Sequence, residues 1–111
     1  MTRCVLYTAR DGQVIGFLCA GHAAFADEGQ DIVCAAVSVL TETAVNALER
    51  VAHVTPIVRT GPGFLAVRLP KDTDNQDANT LLNGMTEGLR DIAAQYPDHF
   101  RLDTMAVSEW R

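Results

Sequence analysis

The 111-residue chain has the length of one compact domain, and its apolar fraction of 48% is enough for a single core, which excludes a disordered tail protein. Its formal net charge of -5 repels phosphate backbones. The composition therefore disfavours direct binding of nucleic acid and is compatible with a basic polypeptide partner.

The N-terminal segment has neither the apolar region nor the small-residue cleavage site of a secretory signal. No run approaches the roughly 18 apolar residues of a membrane span, so we expect no membrane association. The three cysteines, Cys4, Cys19 and Cys34, cannot close into a complete disulfide set. We therefore expect free thiols in a reducing cytoplasm.

The first part of the chain predicts a β-hairpin followed by a loop. Residues 3–9 and 13–19 have the composition of strands, and Asp11-Gly12 between them is a strong hairpin signal. Residues 21–31 contain two glycines and little apolar periodicity. A loop of this length in a compact domain is a candidate functional loop, and we expect it to be mobile.

A long helix is predicted over residues 32–51, with Asp31 as its N-cap. Apolar residues at helical spacing predict its buried stripe, which consists of Val33, Val37, Leu40, Ala44, Leu48 and Val51.

The remaining sequence predicts two strands, a helix and a closing strand, at residues 54–59, 64–69, 78–96 and 102–110. The element order is therefore ββαββαβ within a single domain of residues 1–111. This order predicts an α+β fold in which two helices pack on a mostly antiparallel sheet. The order of the strands within the sheet does not follow from the pattern.

Cys34 is the candidate nucleophile. It begins a polar ridge at i+4 spacing on the predicted helix, made of Cys34, Ser38, Glu42, Asn46 and Arg50. With Asp31 as the N-cap, Cys34 lies in the first helical turn, where the helix dipole stabilises a thiolate. The backbone N–H groups of Val33 and Cys34 are candidate donors to an oxyanion.

His22 is the histidine best placed to act as the general base for Cys34. It lies near the start of the predicted loop, and Cys34 follows the end of that loop, so the two can approach each other at small entropic cost. Gly21 and Gly29 are candidate hinges for closing the loop over a bound peptide. His53 and His99 are interpreted as structural residues at a helix end and at the surface.

Two alternatives remain open from the spacing alone. Cys34 can be a structural cysteine without catalytic function. Alternatively, Cys19, His22 and Cys34, with Asp27 or Asp31, can form a tetrahedral metal site. The lack of a second close ligand pair beside Cys34 argues against zinc.

Residues 21–38, GHAAFADEGQDIVCAAVS, resemble the signature of the bacterial ribosomal-processing cysteine protease family, known as Prp. In that family a Gly-His loop precedes an Asp-Ile-Val-Cys-Ala segment that opens a helix. The motif pairs two separate blocks at a fixed spacing, which makes it specific. The chain length and the predicted element order are also similar to the family.

The resemblance implies that Cys34 is the nucleophile and His22 the base. It further implies that Asp31 is a cap or orienting group, that Ser38 supports the site from the same helical face, and that Gly21 matches a motif position. The implied activity removes the N-terminal extension of a large-subunit ribosomal protein, the one numbered twenty-seven. The resemblance also implies a homodimer without a metal or organic cofactor. A non-catalytic ribosome-associated binding module is the alternative function.

Overall fold

The structure is a computed structural model that describes residues 1–21 and 28–107, with only the backbone described for residues 28–31. The described elements follow the predicted ββαββαβ order. Their bounds are β1 Thr2–Thr8, β2 Val14–Ala20, α1 Glu28–Arg50, β3 Ile57–Gly61, β4 Phe64–Arg68, α2 Gln76–Gln95 and β5 Phe100–Ala106. The predicted α+β class is confirmed.

The five strands form one mixed sheet in the order β3-β4-β2-β1-β5. Neighbouring strands are antiparallel except for β1 and β5, which are parallel. Because β4 and β5 run in the same direction, α2 connects them as a crossover, since a tight hairpin joins only antiparallel strands. The first strand is therefore an interior strand of the sheet, between β2 and the edge strand β5.

The predicted hairpin between β1 and β2 is present. The Ala9 amide donates to the Gln13 carbonyl at 2.9 Å, and the Gln13 amide donates to Asp11 Oδ1 at the same distance. Gly12 has a φ of 85°, a conformation that glycine adopts without a Cβ penalty. The Asp-Gly pair thus fixes the turn by a side-chain hydrogen bond and by backbone freedom.

The predicted stripe of α1 forms part of the core, with a correction at its end. Val33, Val37, Ala44 and Leu48 are buried, and Leu40 packs against the same core. Val51 was predicted to be buried but is 58% exposed, because α1 ends at Arg50 before the chain turns.

The helical segment Ile32–Arg50 is long and apolar enough, by length and composition, to cross a membrane. The core helix of a water-exposed domain can meet the same criterion. Val33 and Leu48 of this helix are fully buried among the apolar side chains of the sheet and of α2. We therefore interpret α1 as a core helix.

The expectation of three free thiols is wrong for two of them. Cys4 on β1 and Cys19 on β2 lie directly opposite each other and form a disulfide, with their Cα atoms 4.2 Å apart. Adjacent strands bring opposed side chains within reach of such a bond, but the pairing register is needed to see it. Cys34 is the cysteine outside the disulfide.

Candidate active site

A cleft of about 350 Å³ lies between α1 and the hairpin formed by β3 and β4. The α1 helix contributes Cys34, Ser38 and Glu42 to one wall, and the hairpin contributes residues between Thr60 and Leu65 to the other. The start of β1 also reaches the cleft through Thr2. The cleft therefore joins one helix face to one end of the sheet.

The sulfur of Cys34 lies on the wall of this cleft and is partly buried. Its Sγ atom is 3.1 Å from the Oγ1 atom of Thr2, and either atom can be the donor of this hydrogen bond. Thr2 itself is almost fully buried, at 6% exposure. The sulfur thus combines access to a cavity with a fixed polar neighbour, an arrangement that suits a nucleophile.

The polar ridge predicted for α1 is exposed at the four positions after Cys34, whereas Cys34 itself is partly buried. Ser38 and Glu42 are exposed, as are Asn46 and Arg50 further along the helix. Ser38 lies one turn after Cys34 and lines the same cleft. The supporting role of Ser38 stays a prediction.

Gly21 is held firmly at the end of β2, beside the cleft. Its amide donates to the Gly63 carbonyl at 3.2 Å, and its φ of 101° disfavours residues that carry a Cβ. A Cβ built at this position would collide with the Met1 carbonyl. Gly21 is therefore a fixed point at the end of the first described segment, whereas the sequence predicted a hinge at this residue.

His22 lies outside the described residues, as do the rest of the loop up to residue 27 and the side chain of Asp31. The pairing of His22 with Cys34 and the mobility of the loop therefore stay predictions. The described residue closest to His22 along the chain is Gly21, which lies beside Thr2 in the sheet because Arg3 pairs with Ala20.

The start of α1 corrects the expected surroundings of Cys34. The helix begins at Glu28, so Asp31 lies within it and is not its N-cap. Cys34 is consequently in the second turn. Only the first four N–H groups of a helix lack an intrahelical acceptor. In this helix the N–H groups of Val33 and Cys34 point to carbonyls of the preceding turn, so they are not available to an oxyanion.

The zinc alternative loses one of its ligands, because the Cys19 sulfur is bonded to Cys4. Among the side chains that the structure describes, those of residues 1–21 and 32–107, no group of three His, Cys, Asp or Glu is placed to hold a metal ion.

The sequence analysis did not identify the contribution of Thr2. The two-residue periodicity of a strand is the signal that could have found it, because it places Thr2 on the same face as Cys4 and Leu6, and all three are buried.

The sequence and fold are similar to those of known proteases. The family model of the cysteine protease Prp matches residues 1–101. The chain is 33% identical over 112 residues to the ribosomal processing cysteine protease Prp of Bacillus subtilis (strain 168), and the match covers 96% of this chain and 100% of the relative.

Two crystal structures of an essential ribosomal processing protease Prp from Staphylococcus aureus have the same fold. The complex with a substrate peptide has a TM-score of 0.87 and 27% identity, over 95% of this chain and 100% of that chain. The complex with a covalently linked product peptide has a TM-score of 0.84 and 28% identity, with the same coverage.

Proposed function

The chain belongs to the Prp family of ribosomal-processing cysteine proteases, and we propose that it removes the N-terminal extension of the large-subunit ribosomal protein numbered twenty-seven. The proposal assigns Cys34 as the nucleophile and His22 as the general base. The observation that carries it is the position of the Cys34 sulfur on the wall of a cleft large enough for a peptide side chain.

The position of Gly21 supports the pairing of Cys34 with His22. Gly21 lies beside Thr2, and the Thr2 hydroxyl contacts the Cys34 sulfur at 3.1 Å. The last described residue before His22 is therefore held close to the proposed nucleophile. The covalently linked product peptide of the Staphylococcus aureus relative supports covalent catalysis in the family.

The proposed reaction has two stages. First, His22 takes the Cys34 thiol proton, the sulfur attacks the scissile carbonyl carbon, and a C–S bond forms. The C–N bond then breaks as His22 donates the proton to the leaving amine, which leaves a thioester on Cys34. In the second stage, His22 takes a proton from water, and the resulting hydroxide attacks the thioester. The C–S bond then breaks, His22 returns its proton to the Cys34 sulfur to restore the thiol, and the cleaved extension leaves as a carboxylic acid.

The lining of the cleft supports an apolar side chain before the cut and a basic segment nearby. Val37 and Leu65 contribute apolar surface to the walls, and Phe64 lies at the hairpin end of the cleft. Glu42 adds a carboxylate to the same cleft, in a chain whose net charge is -5. A basic flank of the substrate is therefore attracted toward the enzyme.

Incubation with a peptide that carries the ribosomal extension, followed by mass spectrometry of the products, tests the proposal. Wild type should cleave it at one site, and Cys34→Ala and His22→Ala should each abolish or severely reduce cleavage because the pair acts as a unit. Undiminished cleavage by Cys34→Ala would contradict the mechanism. Binding without cleavage by wild type would favour the non-catalytic binding module. The presence of an extension on the ribosomal protein of the same genome is a second check.

We also propose that the protein forms a two-fold dimer. A cytoplasmic location stays an expectation from the sequence, and the Cys4–Cys19 disulfide removes the argument for it from free thiols. Ile32 and Val39 on α1 are 50% and 64% exposed, which is unusual for large apolar side chains on one helix. Their exposure supports a helix face as the interface. Val39→Glu should shift the protein toward a monomer in light scattering at micromolar concentration. A strictly monomeric wild type would contradict the dimer.

A further inference from the structure

We propose that Thr2 is a positioning residue for the Cys34 sulfur: its hydroxyl holds the sulfur at the cleft wall before and after the thiol loses its proton. This inference rests on the proposed role of Cys34 as the nucleophile. It goes further by assigning a function to a residue at the start of β1, far from Cys34 in the sequence. The contact that motivates it joins Thr2 Oγ1 to Cys34 Sγ over 3.1 Å.

The backbone of Thr2 is held against the start of β5. Its amide donates to the His99 carbonyl at 3.1 Å, and Thr2 pairs with Phe100 in the parallel ladder between β1 and β5. The side chain is almost fully buried and is β-branched, so it has little rotational freedom. The hydroxyl is consequently a fixed reference point for the more accessible sulfur of Cys34.

The chemistry of a hydroxyl suits both states of the sulfur. While Cys34 is a thiol, either partner can donate the hydrogen bond. When the thiol proton passes to His22, the sulfur becomes an acceptor only, and the Thr2 hydroxyl becomes the donor. A hydrogen bond to an ionised acceptor is stronger than a neutral one. The hydroxyl keeps its own proton throughout, so it takes no part in the proton transfer.

A comparison with the other buried threonines separates this role from ordinary packing. Thr41 and Thr86 are, with Thr2, the buried polar residues of the described chain. Each of the two helical threonines donates to a carbonyl four residues earlier in its own helix, at 2.8 Å. Thr2 instead contacts a side chain 32 residues away, at the proposed reacting atom. The Thr2 contact is therefore a tertiary contact, unlike the hydrogen bonds that the two helical threonines make within their own helices.

Thr2→Val removes the hydroxyl and keeps the branched shape, and Thr86→Val is the matched control. Both substitutions remove one buried hydroxyl, but only Thr2 lines the cleft. We measure the rate at which iodoacetamide labels Cys34, by peptide mapping, together with kcat and KM for the extension peptide. Thr2→Val should slow labelling and lower kcat about tenfold each, with KM unchanged, as expected for the loss of a hydrogen bond to a charged group. Thr2→Ser should restore most of both rates.

Wild-type labelling and kcat in a folded Thr2→Val protein would overturn the inference, and so would an equal loss in Thr86→Val. Should circular dichroism show that Thr2→Val is unfolded, Thr2→Ala with its smaller side chain is measured in the same way and judged by the same criteria. The labelling reaction needs no substrate. A wild type that labels rapidly at Cys34 but cleaves no peptide would contradict the proposed substrate and leave the effect of Thr2 measurable.

Discussion

Replacing Gly21 with alanine tests how firmly the backbone is held at the residue before His22. The φ of 101° disfavours alanine, at a cost of about 1–2 kcal/mol for a left-handed residue. The added Cβ would also collide with the Met1 carbonyl, which is backbone and cannot rotate away. Relief of that contact has to move the start of β1 or break the hydrogen bond to Gly63, which adds about 1 kcal/mol. We expect a total loss of about 2–3 kcal/mol in the free energy of unfolding.

Gly12→Ala is the matched control, because Gly12 has a φ of 85° and nothing within 4 Å of an added Cβ. It should lose only the conformational contribution of about 1–2 kcal/mol. Urea unfolding of both variants at neutral pH measures the difference. Peptide cleavage should fall in Gly21→Ala, because this residue leads into His22, and stay unchanged in Gly12→Ala. Equal destabilisation of the two variants would refute the argument from the Met1 contact.

Three further outcomes follow from the described contacts. Native alkylation under non-reducing conditions should label Cys34 alone, since Cys4 and Cys19 are bonded; labelling of Cys19 at a similar rate would contradict this. Leu89→Ala should lower the free energy of unfolding by about 2–5 kcal/mol, because Leu89 is fully buried and its removal leaves a cavity in the core. A loss below that range in urea unfolding would show that the neighbouring side chains fill the cavity. Asn75→Ala should cost about 0.5–2 kcal/mol, since Asn75 caps α2 by accepting from the Ala78 amide at 2.9 Å; an unchanged midpoint of thermal unfolding would show that the cap contributes nothing.

The local elements could be predicted because short-range patterns determine them. The Asp11-Gly12 turn and the i+4 ridge of α1 depend only on neighbouring residues, and the structure has both. The start of α1 was placed too late, at residue 32, because Asp31 is a good cap in isolation and helix boundaries depend on tertiary context.

The arrangement around Cys34 could be predicted only in part. The ridge with Ser38 and Glu42 followed from helical spacing, and the structure places both residues in the same cleft. The strand order and the contact with Thr2 join residues that are distant in sequence. Such contacts depend on pairing register, which no single segment encodes.

The Cys4–Cys19 disulfide has a consequence for the cleft, because Cys19 and Thr2 both line it. It crosslinks β1 two residues after Thr2 and β2 two residues before Gly21, across a separation of 15 residues. In the chain-entropy description, closing a loop of that size lowers the entropy of the unfolded chain and so raises the free energy of unfolding by about 3 kcal/mol. The crosslink also prevents the two strands from sliding past each other. Since a slip of one residue would turn every side chain of β1 to the opposite face, the covalent clamp preserves the direction in which Thr2 points.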